Sequence, residues 1–554
     1  MKFELFPEKA QFSPEEPILL RARLSDFPAD TVVRLSVFHF GRSVLSQERP
    51  AAPEVTFRFC PQGSLRTMQG FLARAELLCG GTVRACAYTA CDRAESWKAA
   101  PRYGFLSDFQ ESEKDDTRDV ESMNRLHLNV IQFYDWMYRH DDFFPPESTF
   151  QDIMGKTSSM DTVERKISAL HRYGMKAIAY GAVYGAESYF SAHPECALYD
   201  ARKEPMKFID RIYMMNIARG SGWHDHILGE YRKAVRFGFD GIHMDQYGFP
   251  KEAYTKENDG FHIRRLRGDF RDLIDDAKDA LPESGIIFNA VNAWPLGETA
   301  KAQEDCVYIE VWPPNDSYAD LNRLISDAKK YAPEKQVILA AYLHPFAECT
   351  GPEDYGCTAQ LAMAVIFSSG GFHLLLGEDG GMLTQAYYPE YCRLKGTEFP
   401  AMLQSYYDFI TAYEELLFGP DLIDITRTAA DGINTDFRFS GGEFSSLPQS
   451  GHIWTQIRCN TDSVVIHLVN FTGIKNMNWN EAHPESPAAV RGVTVEAQIL
   501  ENPVAVRLAS PDFDHGMCRT LEYTREIDQN GNPVVRFTVP ELYVWDVIFI
   551  RTST

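Results

Sequence analysis

Two acids at the ends of apolar runs are the residues best placed to do chemistry here. Asp245 ends the run GIHMDQ that starts at Gly241, and Glu310 lies in CVYIEVW from Cys306. Two carboxyl groups facing one cleft are the minimum for cleaving a glycoside through an oxocarbenium-like transition state. One attacks or stabilises the anomeric carbon, and the other protonates the departing oxygen. Taken singly, either acid is weak evidence, since it can simply cap the next helix; the pairing gives them chemical meaning. Close by, Gln246, Tyr247, Asn289, Asn292, Trp294 and Trp312 offer the hydrogen bonds and flat apolar faces that sugars require.

A second cluster, QFYDWMYRHDDFFPP, holds Tyr134, Asp135, Trp136, Arg139 and His140. It reads either as a solvated loop with an aromatic anchor or as a substrate-binding wall in which Asp135 takes sugar hydroxyls. His243 shares a strand face with Asp245 two residues on, as a support for that acid or as a satisfied core histidine. Glu378 is a further candidate for the binding surface, with His344 and Asp379 beside it in reach but without a distinct role.

Eight short apolar runs must position these groups, beginning at Arg102, Leu128, Met175, Gly241, Gly285, Cys306, Gln336 and Gly371. Helical periodicity fills Thr162–Tyr173, His224–Phe237, Ile263–Ala280, Tyr318–Tyr331, Thr358–Ser368 and Pro400–Leu417, and Tyr184–Ile217 reads as a long insertion. Strands alternating with helices give a parallel sheet, and eight of them close a (β/α)8 barrel whose carboxyl-terminal strand ends carry the active site. The expected organisation is a multidomain protein. Residues 1–97 form an N-terminal β-sandwich of short alternating strands, 98–418 the barrel and 419–554 a second β-sandwich. The sequon Asn470-Phe471-Thr472 falls inside a strand of the last and is read as chance.

Composition narrows the partners. The chain carries 78 acids against 55 Lys and Arg, a net charge of -23, so a nucleic acid would meet a repulsive field. No apolar run is long enough for a membrane span. The eleven cysteines are scattered singly without CxxC pairs, which argues against zinc or a redox dithiol. No cofactor and no metal are expected; Asp512 and Asp514 are read as a solvated turn rather than a calcium site. The start of the chain lacks the apolar core of a signal peptide. A cytoplasmic protein is therefore expected, with secretion of a trimmed chain as the alternative.

Four motifs carry a family resemblance: Phe133–His140 (FYDWMYRH), Gly238–Gly248 (GFDGIHMDQYG), Phe288–Pro295 (FNAVNAWP) and Tyr308–Pro314 (YIEVWPP). Together they resemble family 66 of the glycoside hydrolases, which contains endo-dextranases and cycloisomaltooligosaccharide glucanotransferases. The resemblance covers the barrel and fits the family's flanking domains, immunoglobulin-like before it and Greek-key after it. It implies a retaining double displacement on α-1,6-linked glucan, dextran or isomaltooligosaccharide, with Asp245 as nucleophile and Glu310 as acid/base. Transferases of the family typically insert a carbohydrate-binding module near the end of the barrel, for which Gly371–Phe418 leaves no room; hydrolysis is expected over cyclisation. The chain is short for the family, and a cytoplasmic protein would take imported isomaltooligosaccharides rather than long dextran. A catalytically silent carbohydrate-binding protein is the reading from another class, and the acid pair counts against it. Oligomeric state is not legible.

Overall fold

The computed structural model describes residues 2–348 and 356–552. At the N-terminus, the strands Phe3–Pro7, Ile18–Leu24 and Glu54–Phe59 make one antiparallel sheet. Arg42–Pro50, Thr31–His39, Met68–Cys79 and Thr82–Ala94 make another. Period-two burial explains the pairing: Ile18, Leu20, Ala22 and Leu24 point inward and share a core with Val33, Leu35, Val37, Phe57 and Phe71. Arg42–Pro50 is a strand that alternation does not reveal, because its side chains are nearly all polar and solvent-facing.

Eight parallel strands follow: Tyr103–Leu106, Val130–Phe133, Lys176–Ala182, Gly241–Asp245, Gly285–Asn289, Cys306–Glu310, Val337–Ala340 and Gly371–His373. Each pairs with the next. They are the eight runs read from the sequence. Helices cover the sheet's outer face and side chains fill its inside, so the runs are continuously apolar rather than alternating. Among the described residues no ladder joins the eighth strand to the first. The seam is closed by Glu378, whose carboxylate accepts from the Ser107 amide (2.8 Å), the Ser107 hydroxyl (2.9 Å) and the Asp108 amide (3.1 Å). Gly377 lets it close, since a Cβ there would lie 2.3 Å from the Phe105 ring.

Two helical readings change. The helix expected from Ile263 begins at Leu266, because Gly260–Arg265 pairs as a strand with Glu252–Glu257 and leaves Ile263 64% exposed. The last barrel helix is broken at Tyr413 into Glu398–Ala412 and Glu414–Phe418. The insertion after the third strand is real: Gly185–Ala186, Lys207–Phe208 and Ile212–Met214 form a small antiparallel sheet over the barrel mouth.

In the closing part, Ile453–Cys459, Ser463–Asn470, Trp545–Arg551 and Ala505–Ala509 form the centre of one sheet. Phe437–Ser440, Val490–Gln498, Pro533–Leu542 and Tyr523–Ile527 form the other, around a core that includes Ile457, Leu468, Val495 and Ile548. Asn470 is buried, and its amide donates to the carbonyls of Ala488 and Tyr543, so the sequon is closed to a glycan. Asp512 is not a solvated turn: half-buried, it accepts from Tyr406 (2.7 Å) and from the Val544 and Trp545 amides. The barrel core extends into residues of both flanking parts, each of which also has a core of its own. A buried Arg102 ties them further, holding Asp92 of the first part at 2.9 Å and Glu414 at 3.1 Å.

Candidate active site

Strands four, five and six present Asp245, Asn289 and Glu310 at their carboxyl-terminal ends. The Asn289 side-chain nitrogen donates to Asp245 Oδ1 at 2.7 Å and to Glu310 Oε2 at 3.0 Å. Its two hydrogens diverge by about 120°, which sets those carboxyl oxygens about 5 Å apart. With ideal geometry that lies near the about 5–5.5 Å of retaining pairs and below the about 6.5–9.5 Å of inverting ones. Tyr180 donates to Asp245 Oδ2 (2.8 Å) and Tyr342 to Glu310 Oε1 (2.9 Å). Each acid is thus held by two side chains from neighbouring strands.

Burial raises both carboxyl groups, and the charge of Glu310 lifts Asp245 further, to about 7. The pair therefore retains one proton near neutral pH. At the base of the site the Tyr103 hydroxyl meets His243 Nδ1 at 3.1 Å and the imidazole packs edge-on against Tyr308. Burial lowers His243 to about 3, so it is neutral; it touches the first barrel strand rather than Asp245.

A cavity of about 350 Å³ opens above the pair, lined by Gln132, Tyr134, Phe208, Tyr247, Trp312 and Tyr388 among others. Tyr134 stacks on Tyr388 (4.3 Å) and Tyr247 on Phe208 (4.1 Å). Three buried polar atoms here, Gln132 Oε1, Asn289 Oδ1 and the Tyr247 hydroxyl, have no protein partner.

Of the residues singled out in the sequence, Asp245, Glu310, Tyr134, His243, Gln246, Tyr247, Asn289 and Trp312 line this cavity. Gln246 does so while donating to the Asn289 carbonyl. Six others, Asp135, Arg139, His140, Asn292, Trp294 and Glu378, lie outside the lining. Asn292 fastens the loop after strand six, accepting from the Trp312 amide (2.7 Å) and from Asn315 (3.0 Å). Trp294 packs on Phe270, Arg139 folds onto the carbonyls of Tyr138 and Gln151, and Glu378 closes the barrel seam. His140 is buried and salt-bridged to Glu187 of the insertion at 2.6 Å. Burial opposes its charge, but Glu187, Asp135 and Asp141 outweigh that and lift it to about 9. Asp135 stands 4.0 Å from the same imidazole, with φ of 45°, a left-handed backbone that a tight site loop can impose. Sequence reasoning missed Tyr180, Tyr342, Tyr388 and Phe208. Tyr180 lies near the carboxyl-terminal end of strand three and Tyr342 just past strand seven, the same kind of position as Asp245; Phe208 comes from the insertion's small sheet and Tyr388 from a short turn after strand eight.

The fold and pair define a multidomain protein with an eight-stranded parallel barrel-like sheet and a two-carboxylate centre at its mouth. The chain belongs to glycosyl hydrolase family 66, whose model matches residues 7–549. It is 24% identical to a cycloisomaltooligosaccharide glucanotransferase of Niallia circulans over 99% of this chain and 72% of that protein. It is 23% identical to a dextranase of Streptococcus salivarius over 83% of this chain and 64% of the relative. A Paenibacillus sp. cycloisomaltooligosaccharide glucanotransferase, crystallised with cycloisomaltoheptaose, shares the fold with a TM-score of 0.88. There the identity is 21%, over 99% of this chain and 100% of that one.

Proposed function

We propose that the protein is a retaining glycosidase that cleaves α-1,6-glucosidic linkages of dextran or isomaltooligosaccharides. The observation that carries this is the Asp245–Asn289–Glu310 bridge, which combines retaining spacing with one shared proton. Asp245 attacks the anomeric carbon while Glu310 donates its proton to the departing sugar oxygen, leaving a glycosyl ester on Asp245. Glu310 then takes a proton from water, whose oxygen attacks from the face the leaving sugar vacated and displaces Asp245. This requires the proton on Glu310. Positive charge growing at the anomeric carbon favours ionised Asp245, and so moves the proton there. Gln132, Asn289 and Tyr247 supply unspent polar atoms for sugar hydroxyls, and Trp312 and the Tyr134–Tyr388 stack supply flat walls. Asp135 and His140 support that wall from behind.

The parts around the barrel fit the family's pattern, immunoglobulin-like for residues 1–97 and Greek-key for 419–554. The short segment Gly371–Phe418 favours hydrolysis over cyclisation. The alignment with the N. circulans relative spans 710 residues, so that protein carries segments with no counterpart in the 554 here. Transfer to a sugar acceptor shares the same glycosyl ester and is the second reading, favoured by the glucanotransferase relatives.

Product analysis by mass spectrometry and proton NMR tests both, using wild type, Asp245→Asn and Glu310→Gln on dextran and isomaltooligosaccharides with an α-1,4-glucan control. The expected outcome is α-configured isomaltooligosaccharides from wild type and a loss of at least about 10³-fold in each variant. Cyclic products would establish transfer. Untouched dextran, or a fully active variant, would refute the reading.

A further inference from the structure

A cavity of about 990 Å³, larger than the one at the barrel mouth, lies where the N-terminal sheets meet the closing β-domain. Five arginines line it: Arg42, Arg49 and Arg58 from the first part, Arg507 and Arg551 from the last. No aspartate or glutamate does, in a chain where acids outnumber bases 78 to 55. By contrast, Arg21, Arg34, Arg219 and Arg536 each hold a carboxylate within 3.0 Å. Among the described residues these five make no ion pair and donate no side-chain hydrogen bond. The Arg551 Nε is buried and still meets no acceptor.

Arg507 and Arg551 are half-buried, while Arg42, Arg49 and Arg58 stand exposed at the cavity's rim. Arg551 lies over Phe40 and Arg49 over Phe57, each 5.6 Å from the ring centre. These contacts use the guanidinium faces and leave N–H donors free. Arg507 Nη1 passes Gly41 so closely that a Cβ there would stand 3.3 Å away, which draws it toward the turn that carries Arg42. Like charges gathered round one cavity repel unless an anion sits between them. Gln47 adds a buried side-chain oxygen without a partner, an acceptor suited to a hydroxyl. We infer that this cleft binds an anionic glycan, a sugar chain carrying carboxylate or phosphate groups, at a site separate from the barrel mouth. The inference does not depend on the reaction assigned to the barrel.

Isothermal titration of the full chain tests it, with oligogalacturonate as the carboxylate probe, a phosphomannan oligosaccharide as the phosphate probe and neutral mannoheptaose as the uncharged control. At least one anionic probe is expected to bind and to weaken severalfold between about 50 and 200 mM salt. The double variant Arg507→Ala/Arg551→Ala should weaken it by at least about tenfold. The lysine pair Arg507→Lys/Arg551→Lys, which keeps the charge and loses the fork, should fall between. The thermal midpoint of each variant checks that it folds. Whichever probe binds identifies the anionic group. Binding of neither, binding unchanged in the alanine pair, or equal binding of mannoheptaose would overturn the inference.

Discussion

The indole nitrogen of Trp479, in the closing β-domain, donates to the Asn315 carbonyl of the barrel at 2.8 Å. Asn315 in turn donates to Asn292, which holds the Trp312 amide. Backbone bonds from Trp479 to Asp316 and from Tyr318 to Met477 run alongside. A residue remote in sequence thus fixes the loop that sets one wall of the cavity. Trp479→Phe keeps the buried ring and leaves the Asn315 carbonyl unpaired, a cost of about 1–2 kcal/mol. Steady-state kinetics on isomaltooligosaccharides should show KM raised about three- to tenfold with kcat nearly unchanged, since Trp312 contributes to binding rather than to bond breaking.

Asp245 carries a pH signature. Its folded value near 7 lies above the usual 3.8, so between those limits the folded protein holds a proton that the unfolded chain has released. Stability therefore falls as pH rises from about 4 to 7 and stays reduced above that. Asp245→Asn has no charge to bury. Denaturation should find it more stable than wild type by about 2–4 kcal/mol at pH 8, with the gap vanishing near pH 4.

His140 runs the other way. Held near 9 in the fold against an ordinary 6.5, it contributes stability that is full below pH 6.5 and lost as pH rises through 9. Glu187, itself held below its ordinary value, supplies the opposing charge above about pH 4.5. Glu187→Gln should cost about 2–3 kcal/mol at pH 6 and little at pH 10. Thermal melts across that range, with an NMR titration of the His140 ring, would check it.

Glu378 tests whether an acid near the site serves the fold or the substrate. Glu378→Ala strands three buried donors at the seam between the first and last strands, and should cost about 2–4 kcal/mol in urea denaturation. KM, measured well below the melting temperature, should not move. A raised KM at unchanged stability would place Glu378 in the binding surface instead.

How much of this was legible turned on period and position. All eight barrel strands were readable because a parallel sheet buries both faces, so each strand is a continuous apolar run. Gly260–Arg265 was not, because its partner Glu252–Glu257 decides its state and an exposed hairpin carries no apolar signal. Trp312 and Trp294 looked alike as aromatics near an acid, yet one lines the cavity and the other packs on Phe270. Loop paths separate them, and a sequence does not print loop paths.

The sequence by itself determined the barrel, the two acids at the ends of strands four and six, and the family, since strand periodicity and strand-end position are local properties. Tertiary structure decided the rest. Asn289 bridges the acids, Tyr180 and Tyr342 clamp them and Glu378 closes the barrel because strands distant in the chain lie side by side in the sheet. The arginines of two β-domains meet around one cavity for a similar reason: charges without local partners are placed only by how the domains pack.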